Sequence, residues 1–126
     1  MSPYLFTEAI LKEKKLTVFG DGSAQRDFTF VGDIVDGIIR GIQKQFPLEV
    51  FNLGSSSPVD VVSFIQTIEK LIHKKAKVIF APPVPSEMKH TYANIEKAEK
   101  LLGYKPNVSI EEGLDIFIQW FKRNRM

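Results

Sequence analysis

A tight glycine turn followed by a single arginine is the feature of this sequence best suited to binding an anion. Gly20 and Gly22 flank an aspartate, and Arg26 follows four residues later. Glycine permits a positive φ and close approach of a ligand to the backbone, and a guanidinium offers a fixed fork of donors for phosphate oxygens. The pattern therefore predicts a diphosphate-binding turn. A glycine hairpin with a surface ion pair between Arg26 and Asp21 or Asp27 explains the same residues equally well.

The remaining composition argues against several other kinds of site. The sequence has no cysteine, which excludes disulfide bonds and thiolate chemistry. Its two histidines, His73 and His90, have no carboxylate nearby at metal-ligand spacing, so no metal site is predicted. Seventeen basic residues against fifteen acidic ones leave a net charge of +2, and the charges alternate in sign. Such a balance predicts solvated faces rather than a surface for nucleic acid.

The length and hydropathy of the chain predict one globular domain. The 126 residues, of which 44% are hydrophobic, suit a single unit with one core, and the predicted domain covers residues 1–126. No apolar run approaches the length of a membrane span, and no basic region followed by an apolar stretch opens the sequence. We therefore expect a cytoplasmic protein without a membrane partner.

Helical and extended patterns alternate along the chain. Strands are predicted at residues 16–19, 28–31, 49–54 and 77–80. Helices are predicted from Pro3, after an Asp33 N-cap, from residues 55–58, from an Asn94 cap to Gly103, and behind a capping box at residues 109–112. Residues 81–89 include three prolines and are predicted to be a loop. This order predicts a mixed α/β or α+β domain with few short strands.

Four blocks of the sequence, taken in order, resemble the carboxyl-terminal half of the nucleotide-sugar epimerases and dehydratases of the extended short-chain dehydrogenase/reductase (SDR) family. The blocks are residues 18–34, the Phe-Asn-Leu-Gly run at 51–54, residues 90–106, and residues 110–114 with Trp120. The resemblance as a whole covers about residues 3–123 and is greatest to UDP-glucuronate and UDP-glucose 4-epimerases. The resemblance implies a small, helix-rich substrate-binding region without a complete Rossmann domain.

The resemblance implies roles for four residues. Phe19 stands where the family packs an aromatic ring against uracil, and the backbone of Thr17 stands where the family pairs with the edge of that base. Arg26 matches the arginine that binds the diphosphate, and Glu87 matches an acidic residue that accepts hydrogen bonds from ribose hydroxyls. The residues alone favour a core phenylalanine at Phe19.

The proline-rich loop departs from the family pattern. Val84 occupies the position at which relatives often carry a second arginine, and valine cannot replace a guanidinium. Either Lys89 substitutes imperfectly, or the nucleotide is held less tightly or differently. Tyr92 is predicted to be an aromatic plug between loop and core. Asp33 is predicted to be structural, as a helix cap.

The residues that carry out chemistry in the family are not found in this sequence. It has no Gly-x-x-Gly-x-x-Gly run, and none of Tyr4, Tyr92 and Tyr104 has a lysine four residues later. The resemblance places NAD and the proton-transfer pair in a Rossmann half outside the matched region. We therefore predict no catalytic residue and no cofactor site in this chain, and no activity for the chain alone.

The expected function is to bind a nucleotide sugar, a UDP-sugar, as part of an NAD-dependent epimerase or dehydratase. The implied partners are the UDP-sugar and the missing Rossmann half, and a homo-oligomer is a further option. An alternative is a catalytically silent binding or assembly module that pairs with another chain, because the apolar helix faces need a cover. The residues leave open which sugar is carried and whether it is epimerised or dehydrated.

Overall fold

Five helices and five short strands make up residues 3–126, the part of the chain that the computed structural model describes. They are α1 (Pro3–Leu11), β1 (Lys15–Phe19), β2 (Gln25–Arg26), α2 (Val31–Lys44), β3 (Val59–Asp60), α3 (Val61–Ile72), β4 (Lys77–Ala81), β5 (His90–Thr91), α4 (Glu96–Leu102) and α5 (Ile110–Arg125). The predicted mixed α/β fold with few short strands is confirmed. Over these residues, no helix is long and apolar enough to cross a bilayer.

Two small sheets meet at the glycine turn. β1 and β4 pair in parallel, with Thr17 opposite Ile79. β2 lies between β3, to which it is antiparallel, and β5, to which it is parallel. The turn between β1 and β2 contains Gly20 and Gly22, with φ values of 72° and 79°. Glycine is needed at Gly22 for a second reason, because a β-carbon there would collide with Val62.

The main core lies between α1, α3, α5 and the inward face of β1. Leu16 and Val18 alternate inward along β1, as a strand requires. On α3 the fully buried Phe64 stacks on Phe28, with ring centroids 3.9 Å apart. A second cluster, formed by Ile95, Ala98, Leu102 and Tyr104, packs against Phe51 and Leu53 and joins α4 to the body of the protein.

Short-range signals predicted several elements correctly. β1, β4 and the helix at Pro3 are confirmed, and residues 82–89 form the predicted proline-rich loop. Gly103 ends α4 in the left-handed conformation with φ 64°, and the Ser109 hydroxyl caps α5 by accepting a hydrogen bond from the Glu112 amide at 3.2 Å. Asn94 provides the side-chain cap of α4, although the N-cap position belongs to Ile95: Asn94 Oδ1 accepts a hydrogen bond from the Glu96 amide at 3.0 Å.

Two of the predicted strands and two predicted helix starts are wrong. Residues 28–31 and 49–54 form no ladder with any residue that the structure describes. An apolar run supplies side chains for a strand but not the neighbouring backbone that a ladder needs. α2 begins at Val31, before Asp33, and α3 begins at Val61 behind an Asp60 cap rather than at residues 55–58.

Asp33 is structural, although not as the cap that was predicted. Its buried carboxylate lies inside the first turn of α2 and accepts hydrogen bonds from the amides of Asn107 and Val108, both at 3.1 Å. These bonds tie α2 to the segment that leads into α5.

Candidate functional site

Arg26 lies at the end of β2 and pairs with a carboxylate of the proline-rich loop. Its Nη2 donates to Glu87 Oε1 at 3.0 Å, and its Nη1 donates to the Gln25 carbonyl at 2.7 Å. The alternative of a surface pair with Asp21 or Asp27 is wrong. The structure therefore brings together two of the four predicted site residues, Arg26 and Glu87.

Two open cavities lie on either side of this ion pair. The first, which we call the arginine cavity, has a volume of about 800 Å³ and is lined by Arg26, Asp27, Phe28, Thr29, Phe51, Asn52, Leu53, Gly54, Glu87, Thr91, Tyr92 and Ala93. The second, the aromatic cavity, has a volume of about 790 Å³ and is lined by Phe19, Gly20, Asp21, Ser23, Ala24, Phe80, Pro83, Val84, Pro85, Glu87, Met88 and Lys89. Glu87 is the residue common to both.

Phe19 is a surface aromatic residue and not the core residue that its sequence context favoured. It is the last residue of β1, and 51% of its surface is exposed. The strand alternates, so the inward positions belong to Leu16 and Val18 and the ring of Phe19 faces outward. An exposed aromatic ring on a cavity wall offers a face on which a planar ligand can stack.

Thr17 presents backbone groups at a free sheet edge. The Gly20 amide donates to the Ala81 carbonyl at 2.9 Å, so the backbone N–H and C=O groups of Gly20, and of every second residue before it, face β4. The N–H and C=O groups of Thr17 therefore face the opposite side. Within residues 3–126, β1 has β4 as its single strand partner. A small cavity of about 60 Å³ joins Thr17 to Phe19 and Glu87. Three of the predicted site residues therefore lie around one recess, with Arg26 on the far side of Glu87.

Asp27 organises the wall of the arginine cavity and was missed as a key residue by the sequence reasoning. Its Oδ1 accepts from the Ser55 amide at 3.1 Å and from the Ser55 hydroxyl, and its Oδ2 accepts from the amides of Ser56 and Ala93 at 3.0 and 3.1 Å. Burial raises the pKa of this carboxyl, but these hydrogen bonds outweigh it and hold the pKa below its usual value.

Gly54 is required where Asp27 meets the cavity wall. A β-carbon at Gly54 would lie 2.6 Å from both Asp27 Oδ2 and Ala93 Cβ. The Gly54 carbonyl in turn accepts a hydrogen bond from the buried Tyr104 hydroxyl at 2.9 Å. Burial, with the nearby charges of Asp33 and Asp27, raises the pKa of Tyr104, so this hydroxyl stays protonated and can donate. The signal in the sequence was the Asn-x-Gly of the second block.

The proline-rich loop supplies the other wall. Glu87 closes a turn in which its amide donates to the Val84 carbonyl at 2.9 Å, and Val84 lines the aromatic cavity where a second arginine would be expected. Lys89 lines the same cavity and has no ion pair with any residue in the described range. Tyr92 is exposed and lines the arginine cavity, so the prediction that it plugs the core is wrong.

Asp21 is held within the glycine turn. Its carboxylate accepts from the Ser23 hydroxyl at 2.5 Å and from the Ser23 amide at 2.9 Å, and these two bonds lower its pKa. The turn thus supplies hydrogen-bond donors for its own carboxylate. Arg26 is left to Glu87 and to any anion that enters the arginine cavity.

Comparison with known proteins gives consistent matches along the chain. A sequence model of the family described as GDP-mannose 4,6-dehydratase matches residues 3–117. An uncharacterised protein of Methanocaldococcus jannaschii is 49% identical over 99% of this chain and 38% of its own length. A UDP-glucuronate 4-epimerase of Thermodesulfobacterium geofontis is 41% identical over 98% of this chain and 38% of its own length.

Solved structures match with similar coverage. The UDP-glucuronic acid 4-epimerase of Bacillus cereus, solved with UDP-glucuronic acid and NAD, has a TM-score of 0.90 and 34% identity over 98% of this chain and 40% of its own. The UDP-glucose 4-epimerase of Thermotoga maritima, solved with UDP-glucose, has a TM-score of 0.90 and 27% identity over 99% of this chain and 42% of its own. The chain thus spans about two fifths of the length of the relatives it matches.

Proposed function

The chain belongs to the GDP-mannose 4,6-dehydratase family, and from this membership we propose that it binds the nucleotide end of a UDP-sugar for an NAD-dependent epimerase or dehydratase. Its resemblance to the carboxyl-terminal part of such enzymes, predicted from four sequence blocks, is confirmed by the matches to UDP-glucuronate 4-epimerases. The domain in this proposal is the whole chain, residues 1–126. It supplies binding energy remote from the reacting carbon of the sugar.

The position of Glu87 is the observation that carries this proposal. Its carboxylate contacts Arg26 and also lines the cavity that contains Phe19. A nucleotide bound with its ribose next to Glu87 would stack its base on Phe19, with the edge of the base at the Thr17 backbone. Its ribose would lie at Glu87, which can accept hydroxyl hydrogen bonds, and its diphosphate would reach Arg26 in the arginine cavity.

NAD does not fit the residues of this chain. A dinucleotide site of the Rossmann type needs a strand that runs through a glycine-rich turn into a helix N-terminus. In residues 3–126, β1 runs through its glycine turn into β2, and β4 runs into the proline-rich loop. The strands β2, β3 and β5 lead to α2, α3 and α4 without a glycine-rich turn. The proposal therefore assigns to this chain the nucleotide of the substrate and leaves NAD to the remainder of the enzyme.

We expect Arg26→Met to weaken UDP binding by about a hundredfold, measured by isothermal titration calorimetry. The guanidinium offers two charge-assisted hydrogen bonds to a diphosphate, each worth about 1.5 kcal/mol or more, and about 1.4 kcal/mol corresponds to a tenfold change in affinity. The matched control is Arg40→Met, because Arg40 also bonds a carboxylate and a carbonyl, those of Asp36 and Gly103, but lines neither cavity. Equal binding of UDP by the Arg26 variant and the parent would refute the proposed role.

The outward face of α2 supports a partner for this chain. Val31, Val35, Ile38, Ile39 and Ile42 are between 47% and 71% exposed along this helix. Residues 49–54 have no strand beside them among the described residues. Because the relatives are more than twice as long as the chain, we propose that the occupant of this face is the part of such an enzyme that the chain does not match. The alternative assembly module would use the same face.

Co-expression tests the partner proposal. We expect the chain to co-purify with the unmatched part of the Methanocaldococcus jannaschii relative, and Ile38→Glu to abolish the association by placing a charge in the apolar contact. The control is Ile116→Glu on α5, since Ile38 and Ile116 are 50% and 46% exposed. The proposal fails if the parent does not co-purify, or if the Ile38 variant is retained as well as the parent.

A further inference from the structure

The Arg26–Glu87 ion pair joins two groups that the proposed function assigns to different parts of the ligand. Resting on that function, we propose that Glu87 is a specificity-determining residue that makes diphosphate binding depend on an attached ribose. The Glu87 carboxylate stays bound to the Arg26 guanidinium until ribose hydroxyls donate hydrogen bonds to the carboxylate in its place. A diphosphate without a nucleoside is thereby rejected.

The rejection follows from the geometry of the empty site. Glu87 Oε1 lies 3.0 Å from Arg26 Nη2, and both side chains are partly buried. The other terminal nitrogen, Nη1, is held by the Gln25 carbonyl at 2.7 Å. Whether a free diphosphate uses the remaining N–H donors of Arg26 or displaces the carboxylate from Nη2, its negative charge lies beside that of Glu87. Discrimination of this kind works through an unfavourable contact with the wrong ligand.

A nucleoside diphosphate avoids this cost by an exchange of partners. Glu87 lines the aromatic cavity, and the small recess with Thr17 and Phe19, as well as the arginine cavity. A base bound at Phe19 brings its ribose hydroxyls toward the carboxylate, which accepts hydrogen bonds from them. The guanidinium is then free for the diphosphate. Each charged group keeps a partner throughout.

The loop that carries Glu87 is suited to such an exchange. Its ends are fixed, since the Gly20 amide donates to the Ala81 carbonyl at 2.9 Å and the Gln25 amide donates to the Lys89 carbonyl at 2.7 Å. Between these points, the bond from Arg26 to Glu87 is the one side-chain hydrogen bond that joins residues 82–89 to the rest of the described chain. Release of this bond lets Glu87 turn toward a ribose without disturbing either strand.

The test compares UDP with inorganic pyrophosphate on the 126-residue chain. Calorimetry gives the ratio of the two affinities for the parent, Glu87→Gln and Glu87→Ala. We expect the parent to prefer UDP and both variants to bind pyrophosphate about tenfold more tightly, because the competing charge is lost. Glu87→Ala should also bind UDP more weakly, because it loses the acceptor for the ribose hydroxyls that the glutamine oxygen still provides. Thermal unfolding confirms that each variant is folded.

The matched control is Glu111→Gln. Glu111 pairs with Lys70 at 2.8 Å but lines neither cavity, so its removal leaves the ratio at the parent value. If the parent binds UDP and both Glu87 variants keep the parent ratio, the selectivity role is overturned while the proposed function stands. If the parent binds no UDP, the proposed function fails and this inference fails with it.

Discussion

Replacement of Asp27 by asparagine is expected to lower the free energy of unfolding by about 1–2 kcal/mol. Each carboxylate oxygen of Asp27 accepts two hydrogen bonds, so all four lone-pair positions face donors. An asparagine amide replaces one of the two oxygens by an NH₂ group, which cannot accept. At the Oδ2 position this group strands the Ala93 amide, and at the Oδ1 position it leaves the Ser55 amide with only Thr29 Oγ1, at 3.0 Å. An unsatisfied buried donor costs about 1–3 kcal/mol. Urea denaturation followed by circular dichroism measures the change.

Asp115→Asn is the control for this prediction. Asp115 accepts one exposed hydrogen bond, from Gln119 Nε2 at 2.8 Å, and an asparagine oxygen can accept the same bond. We expect its effect to stay within about 0.5 kcal/mol, as for most surface substitutions. If Asp27→Asn changed the free energy of unfolding as little as this control, the four hydrogen bonds to the Asp27 carboxylate would not contribute to stability.

The pH dependence of stability gives Asp27 a second signature. Hydrogen bonds hold its pKa below the ordinary value in the folded protein, so its contribution is fully present above the unfolded pKa of about 3.9. That contribution is lost as the pH falls through the folded pKa. As the pH falls from neutral to acid, the parent should therefore lose stability that the Asp27→Asn variant has already lost. The free energies of unfolding of the two proteins should converge at low pH.

Local signals in the sequence were sufficient for the elements that depend on near neighbours. The Ser109 cap bonds a residue three positions away, and Gly103 needs only its own φ. Asp27 and Asp33 could not be interpreted in this way, because their partners lie 28 to 75 residues away along the chain. A carboxylate at such a position resembles a surface charge or a cap until the fold brings distant amides to it.

The site shows the same division between local and distant information. The family resemblance pointed to Phe19, Arg26 and Glu87, but the contact between Arg26 and Glu87 spans 61 residues. The outward side of Phe19 follows from its own strand, because Phe19 shares a face with Lys15 and Thr17 while Leu16 and Val18 face the core. Whether residues 49–54 pair as a strand is beyond local reasoning, since pairing depends on a neighbouring backbone, and none pairs with them among the described residues.

Phe64→Ala is expected to cost about 4 kcal/mol, the largest stability effect predicted for this chain. Phe64 is 0% exposed, stacks on Phe28 at 3.9 Å and meets Phe6 edge-on at 6.0 Å. Truncation of a buried phenylalanine removes its transfer energy and leaves a cavity, with a typical loss of about 3–5 kcal/mol. Urea denaturation measures this loss.

The control Phe80→Ala separates the packing effect from the loss of an aromatic ring as such. Phe80 is 58% exposed, so its truncation leaves no closed cavity and should change the unfolding free energy by less than about 1 kcal/mol. Equal losses for the two variants would contradict the assigned core.

Phe28 follows Asp27 and lines the arginine cavity, so a hole beneath its ring also loosens the wall that holds Arg26. We therefore expect Phe64→Ala to weaken UDP binding even at temperatures where the variant remains folded.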